Sequence, residues 1–160
     1  MRHIITALVE NQPGVLARVV GLISGRGFNI HSLNVAPTHD STLSRVTLAI
    51  DGDERDLEQI TKQLNKLIDV IKVADLTRSK YVNRELALIE VNCDTRNRSE
   101  IIELAHLFEA RIISVRKNSV VMYIVSVYEG IDEFIEVLRP YGIVDISRSG
   151  VVAMGRIEQE

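Results

Sequence analysis

The chain has 160 residues, enough for one ordinary domain or two small ones. Its net charge of −3 arises from 19 basic and 22 acidic residues, which argues against nucleic acid or an anionic membrane as the main partner. No apolar run approaches the roughly 20 residues of a membrane-spanning helix, and the first residues lack a signal-peptide pattern. The single cysteine, Cys93, excludes an intrachain disulfide and is expected to be a half-buried structural thiol. These features predict a cytoplasmic protein.

The first half of the chain predicts one strand–helix–strand–strand–helix–strand unit. Residues 2–9 are apolar on both faces, which is typical of a strand central in its sheet. A helix is predicted over Val15–Arg26, and its apolar face comprises Val15, Leu16, Val19, Val20 and Ile23. Gly27 suits the left-handed position just past the end of a helix. The half-polar stretch Asn29–Ala36 indicates an edge strand.

Three further elements complete this unit. Strands are predicted over Arg45–Ile50 and Val70–Leu76, and between them a second helix opens after Asp51. The apolar stripe of that helix is expected to comprise Leu57, Ile60, Leu64, Leu67 and Ile68.

The second half repeats the pattern after a polar connector at residues 78–83. A strand over Leu86–Cys93 precedes a helix capped through Ser99, with a stripe of Ile101, Ile102, Leu104, Ala105 and Phe108. The remaining predicted elements are strands at Arg111–Arg116 and Val120–Tyr128, a helix at Asp132–Leu138 ended by Pro140 and Gly142, and a strand at Ile143–Ser147. The predicted fold is α+β, with two tandem ferredoxin-like βαββαβ sandwiches spanning residues 1–79 and 80–160.

No pattern in the sequence predicts an active site. The four histidines are scattered without zinc-ligand spacing, at positions His3, His31, His39 and His106. No serine lies in a nucleophile elbow. Gly21, Gly25 and Gly27 follow a helix instead of linking a strand to one, so they do not form a dinucleotide-binding loop.

RNA-recognition modules share this order of elements, but they stack bases on aromatic side chains of their central strands. The first and third predicted strands here contain no aromatic residue. Tyr123 and Tyr128 fall on opposite faces of a later strand and are expected to be packing residues. The sequence therefore argues against RNA binding.

The turn from Asn11 to Gly14 allows two interpretations. Asn, Pro and Gly occur in turns for local reasons, so the stretch can be ordinary turn chemistry. Alternatively, Gly14 precedes a helix whose first N–H groups are bare, and Asn11 adds a side-chain amide. An amino acid carboxylate would bind there, with its side chain against Val15, Leu16 or Ile30.

Several motifs resemble a known family. The run Glu10-Asn-Gln-Pro-Gly-Val-Leu, followed after one helix by Arg26-Gly-Phe-Asn-Ile, resembles the entry of an ACT domain, the small-molecule-sensing βαββαβ module. The runs Ser32-Leu-Asn-Val-Ala-Pro-Thr, Leu43-Ser-Arg-Val-Thr and Gln63-Leu-Asn-Lys-Leu-Ile-Asp-Val are similar to the regulatory small subunits of acetolactate synthase, also called acetohydroxyacid synthase. The second half, including the Ser147-Arg-Ser-Gly-Val-Val tail, resembles the C-terminal domain of that family.

The resemblance implies a non-catalytic role in branched-chain amino acid biosynthesis. In that family two ACT domains pair side by side and bind a feedback inhibitor, usually valine, at their interface. The implied contacts are Asn11, Gly14, Val15 and Leu16 from one subunit and Asn29 and Ile30 from its partner. The implied partner is the large catalytic subunit, which would carry thiamine diphosphate, Mg²⁺ and FAD, while this chain would hold none of them.

Two alternatives remain open at this point. The chain can be a stand-alone ACT-domain amino-acid sensor for another enzyme or pathway, or a small enzyme of ferredoxin-like fold. The sequence does not choose among valine, leucine and isoleucine as effector, because one methylene is worth only about 0.8 kcal/mol.

Overall fold

A computed structural model describes residues 2–156, which form two compact units. The first comprises residues 2–83 together with 151–156, and the second comprises residues 84–150. Within the described residues no helix is long and apolar enough to cross a membrane.

The first unit has the predicted element order and sheet. Its elements are β1 (Arg2–Glu10), α1 (Val15–Ser24), β2 (Ile30–Pro37), β3 (Leu43–Asp51), α2 (Glu54–Leu64) and β4 (Val70–Asp75). The strands are arranged in the order β2-β3-β1-β4, with antiparallel pairing throughout. The predictions of a central first strand and an edge strand β2 are therefore confirmed.

Both helices pack on one face of this sheet. Ile5, Ala7 and Val9 of β1 lie in a single core with the buried sides of α1 and α2. At the start of α2, Asp53 accepts a hydrogen bond from the N–H of Asp56 at 2.9 Å, and Asp56 accepts one from the N–H of Asp53 at 3.0 Å. This capping box satisfies two donors at the helix start, and the Asp56 N–H lowers the pKa of Asp53 below its ordinary value.

The opposite face of this sheet, called here the tail-side face, is covered by the end of the chain. A ninth strand, which the sequence did not predict, runs over Val152–Gly155. Val151 and Ala153 are 7% and 3% exposed and pack with Ile4, Ala49 and Leu76 of the first unit. The chain is anchored further by Arg156, whose N–H donates to the carbonyl of Lys80 at 2.8 Å.

The second unit repeats the architecture. Its elements are β5 (Tyr81–Asn92, of which the first three residues belong to the first unit), α3 (Arg98–Leu107), β6 (Arg111–Val115), β7 (Ser119–Ser126), α4 (Tyr128–Leu138) with a 3-10 turn (Arg139–Tyr141), and β8 (Ile143–Arg148). The sheet order is β6-β7-β5-β8, and the ninth strand, β9, pairs with β5. Phe134 lies at the centre of the core, where its ring centroid is 4.9 Å from that of Phe108.

The domain boundaries differ from the predicted 1–79 and 80–160. The structural division falls between Asn83 and Arg84, within β5, and this strand begins at Tyr81 inside the predicted polar connector. Residues 151–156 belong to the first unit, because their apolar side chains complete its core.

Several local predictions are also wrong. Ile68 is 94% exposed because α2 ends at Leu64, before this residue can join the stripe. Ser99 does not cap α3, whose N-cap is Asn97; the preceding turn is closed by Asp94, which accepts hydrogen bonds from backbone N–H groups. Tyr128 is the first residue of α4 and not the last of a strand. Cys93 is 2% exposed, so it is fully and not half buried.

An ionic cluster holds the end of β8 in the second unit. Arg148 donates from Nε and Nη2 to the two carboxylate oxygens of Glu85 at 2.8 and 3.0 Å, and from Nη1 to Asp132 at 2.6 Å. Its guanidinium carbon lies 4.6 Å from the ring centroid of Tyr128. The Glu85 side chain is only 4% exposed, and its hydrogen bonds, with those of Asp132, raise the pKa of Arg148.

Replacing Arg148 by Met is expected to lower the free energy of unfolding of the second unit by about 3–5 kcal/mol, because Glu85 becomes a buried carboxylate without a counter-charge. Hydrogen exchange of the β7 amides measures this loss in the second unit alone. Arg139→Met is the control, since the Arg139–Glu136 pair is exposed on both sides and screened by solvent. Equal protection of the β7 amides in the Arg148→Met chain and the parent would contradict the stabilising role of Arg148.

Candidate effector-binding site

The turn between β1 and α1 leads directly into the helix, as the sequence predicted. Gly14 is the N-cap of α1 and has φ +84°, a left-handed conformation that residues with a Cβ seldom adopt. Gly27, after the helix, also has a positive φ of +78°. Glycine is therefore required at both ends of this segment for backbone reasons.

The start of α1 presents free backbone donors. No side chain caps the helix, and its first turn contains no acidic residue. The N–H of Val15 reaches the carbonyl of Gln12 at 3.4 Å, and that of Arg18 reaches Gly14 at 3.1 Å. Within residues 2–156, the intervening N–H groups of Leu16 and Ala17 have no acceptor. Donors of this kind, at the positive end of a helix, suit a small anion.

Asn11 fixes the turn against the loop between β2 and β3. Its backbone N–H donates to the carbonyl of Thr42 at 2.7 Å, and its side-chain Nδ2 donates to the carbonyl of Ser41 at 2.9 Å. These bonds use the donors of Asn11, while its Oδ1 makes no hydrogen bond with any described residue. The side chain is thus oriented as an acceptor at an exposed position.

Arg18 was not among the predicted contact residues, yet it lies beside Gly14. Its Nε and Nη2 contact Asp69 Oδ2 at 2.8 and 2.7 Å, and a Cβ built on Gly14 would be 3.2 Å from its Nη1. The signal in the sequence was its position four residues after Gly14, one helical turn along the same face. The ion pair with Asp69 holds the Arg18 guanidinium in place beside the turn.

Val15 and Leu16 occupy different environments. The Val15 side chain is 2% exposed and packs in the core, so only its backbone is available at the surface. Leu16 is 36% exposed, at the edge of the apolar face of α1 rather than within it. Of the two, Leu16 offers the apolar surface beside the free N–H groups.

Asn29 and Ile30 lie at the other end of the sheet. Ile30 pairs with Ile50, which pairs with His3 near the start of β1, whereas Asn11 follows the end of β1. Glu10 lies seven positions after His3 along the strand, which corresponds to about 23 Å at 3.3 Å per residue. The two predicted halves of the site are therefore not brought together within one chain.

The described residues contain no group of three or more His, Cys, Asp or Glu side chains placed to hold a metal ion.

Comparison with known proteins identifies relatives over the whole chain. A family profile described as "AHAS small subunit-like ACT domain" matches residues 5–72, and one described as "Small subunit of acetolactate synthase" matches residues 84–157. A probable acetolactate synthase small subunit from Archaeoglobus fulgidus is 48% identical over 156 residues, with 98% of each chain covered. The acetolactate synthase small subunit from Mycolicibacterium smegmatis is 46% identical, with 96% of this chain and 91% of the relative covered.

A solved structure agrees with this result. The crystal structure of the acetolactate synthase small subunit from Thermotoga maritima superposes with a TM-score of 0.90 at 35% sequence identity, covering 99% of both chains. This chain therefore shares its fold with that protein over nearly the whole length of both chains.

Two glycines of the same helical segment test the backbone argument with opposite signs. Gly14→Ala is expected to lower the free energy of unfolding by about 1–2 kcal/mol, because alanine is strained at φ +84° and its Cβ would displace Arg18. Gly21→Ala is expected to raise it by about 0.5–1 kcal/mol, because Gly21 lies within α1 and its Cβ would meet nothing within 4 Å. Urea unfolding of the two variants measures both, and changes of the same sign would contradict the assigned roles.

Proposed function

This chain belongs to the family of acetolactate synthase small subunits, and we propose that it binds valine between two copies of its first unit and thereby regulates a catalytic large subunit. The observation that carries this proposal is the uncapped start of α1 behind Gly14, with two free N–H groups, an exposed Leu16 and a free Asn11 oxygen. The large subunit would carry thiamine diphosphate, Mg²⁺ and FAD and join two α-keto acids, while this chain has no catalytic role. The assembly is proposed to act in the cytoplasm.

The groups at the turn match the parts of an α-amino acid. The N–H groups of Leu16 and Ala17 would bind the carboxylate, and Asn11 Oδ1 would accept a hydrogen bond from the ammonium. The exposed Leu16 side chain would contact a short aliphatic side chain. Leucine and isoleucine differ from valine by one methylene, so weaker binding of both is expected if the apolar contacts leave no spare volume.

A second copy is proposed because Asn29 and Ile30 lie about 23 Å away from the turn in their own chain. β2 is an edge strand, and two such strands related by a two-fold axis pair antiparallel. The start of one β2 then lies beside the end of the other. That end, at Pro37, is level with Ser44 and Val9, next to the Asn11 turn. The partner's Ile30 would thus face Leu16 across the interface.

Regulation would follow from linkage between this site and the catalytic subunit. Valine binds only where two chains meet, so it favours one arrangement of the dimer, and that arrangement stabilises the less active state of the holoenzyme. A coupling free energy of about 1–3 kcal/mol would change the equilibrium constant between the active and less active states of the holoenzyme 5- to 150-fold at saturation. A stand-alone amino-acid sensor would lack this partner, and a pull-down that recovers no thiamine-dependent enzyme would favour that alternative.

Gly14→Asp is expected to abolish inhibition by valine while leaving activation of the large subunit intact, because the new carboxylate would repel that of the ligand. Asp is better tolerated than most residues at positive φ, so the fold is expected to survive. Gly21→Asp is the matched control, with the same charge on the exposed side of the same helix. Reconstituted holoenzyme assays with and without valine give the result, and full sensitivity of the Gly14→Asp holoenzyme would refute the site.

Mixing two insensitive variants tests whether the site is shared between chains. Gly14→Asp and Asn29→Asp each damage a different half of the proposed site. In a mixed dimer both lesions fall in one site, and the other site is intact. Equal mixing is expected to restore about one quarter of the valine sites, since half of the dimers are mixed and each has one intact site. Calorimetry measures the recovered stoichiometry, and no recovery after subunit exchange would contradict a shared site.

A further inference from the structure

A second candidate site lies on the tail-side face of the first unit, opposite the face that α1 and α2 cover. It is a cavity of about 320 Å³, at the lower end of the range for small-molecule sites. Its lining residues are Asn34, Ala36, Pro37, Thr38, His39, Arg45, Thr47, Val152 and Met154. β2, β3 and the loop after β2 form its floor and side, and β9 forms its rim.

Arg45 is the unusual residue of this cavity. It lies on β3 between Ala36 of β2 and Leu8 of β1, and it is partly buried. Its guanidinium makes no hydrogen bond or ion pair with any residue from 2 to 156. A half-buried guanidinium that lines a cavity and has no acceptor among the described residues favours an anion, and its planar geometry matches a carboxylate.

The charged groups around Arg45 do not satisfy it. Glu10 lies on the same face of β1 as Leu8 and is diagonal to Arg45 in the sheet, but Glu10 and Arg45 form no ion pair. Lys72, beyond Leu8 on β4, adds a second positive charge to this face. Asp40 is held in its own loop by the hydroxyl and N–H of Thr42, which lower the pKa of Asp40. His39 interacts with Asp40 and lies at the cavity wall.

Apolar side chains line two sides of the cavity. Val152 and Met154 are 50% and 61% exposed, and Ala36 and Pro37 continue the apolar surface on the other side. Thr47, at the floor, is 2% exposed and supplies a hydroxyl. We propose that this cavity binds a short organic carboxylate, whose carboxylate contacts Arg45 and whose apolar end lies between Pro37, Val152 and Met154.

Methyl groups of the chain itself report this binding. In the full-length chain with labelled Met and Val methyls, butyrate is expected to shift the Met154 and Val152 signals in a saturable manner. Met122, fully buried in the core of the second unit, is the internal reference and is expected not to move. Butyramide, which lacks the charge, and inorganic phosphate, which lacks the apolar end, are expected to bind at least tenfold more weakly. Equal binding of either compound, or no shift with butyrate, would overturn the proposal.

Arg45→Gln is expected to weaken butyrate binding about 10- to 100-fold, because one charge-assisted contact is lost. Arg111→Gln is the matched control, since Arg111 is an exposed arginine on the edge strand of the other unit. If Arg45→Gln does not fold, Met154→Glu tests the same point, because the introduced carboxylate at the rim would compete with butyrate for Arg45. The Val152 methyl signals then report butyrate binding. Unchanged affinity in the folded variant would refute the site.

The proposal is independent of valine regulation. No residue of the cavity belongs to the proposed valine site, so the Gly14→Asp chain is expected to bind butyrate with unchanged affinity. Loss of butyrate binding in a folded Gly14→Asp chain would show a common site and overturn the proposal. Loss of valine binding in the Gly14→Asp chain, with butyrate binding retained, would separate the two sites.

Discussion

The structure of the first unit depends on a central strand that is apolar on both of its faces. Ile5, Ala7 and Val9 require cover on one side, which α1 and α2 provide. Ile4, on the other side, requires cover that neither helix can supply. Residues Val151 and Ala153 meet that need, and the hydrophobic effect thereby places the end of the chain in the first unit. The inner strand β5 of the second unit has no such requirement, since Leu86 and Leu88 remain 38% and 40% exposed on its outer side.

This contrast explains how much of the fold could be predicted from the sequence. Helical and strand periodicity identified every strand of the two βαββαβ units, and the apolar faces of residues 2–9 correctly placed β1 at the centre. The same pattern also implied a cover for the second face, but it did not specify which segment supplies it. A four-residue strand such as β9 carries too little periodicity to be recognised, and its role depends on contacts distant in sequence. Helix ends were misplaced where a turn, as after Leu64, ended the helix without glycine or proline.

The candidate site, like the fold, could be predicted from the sequence only in part. The left-handed Gly14 and the bare start of α1 follow from local backbone rules and were predictable. The burial of Val15, the hydrogen bond from Asn11 to Ser41 and the contact of Arg18 with Asp69 depend on packing between distant segments. Likewise, only the register of β2 on β3 and β1 places Ile30 at the far end of the sheet from Gly14. The turn from Asn11 to Gly14 could be recognised as a candidate site because its residues are close in sequence. Its distance from Asn29 and Ile30 could be known only from the pairing of the strands.

The tail strand β9 also bears on how the protein is made. The first unit is discontinuous, because residues 84–150 are inserted between its main part and residues 151–156. A ribosome therefore completes the second unit before it releases the segment that covers Ile4 and Ala49. Until then the nascent first unit presents an apolar sheet face to the cell, the kind of surface that chaperones bind. The first unit is thus completed only after residues 84–150 have been synthesised, although most of it precedes them in the chain.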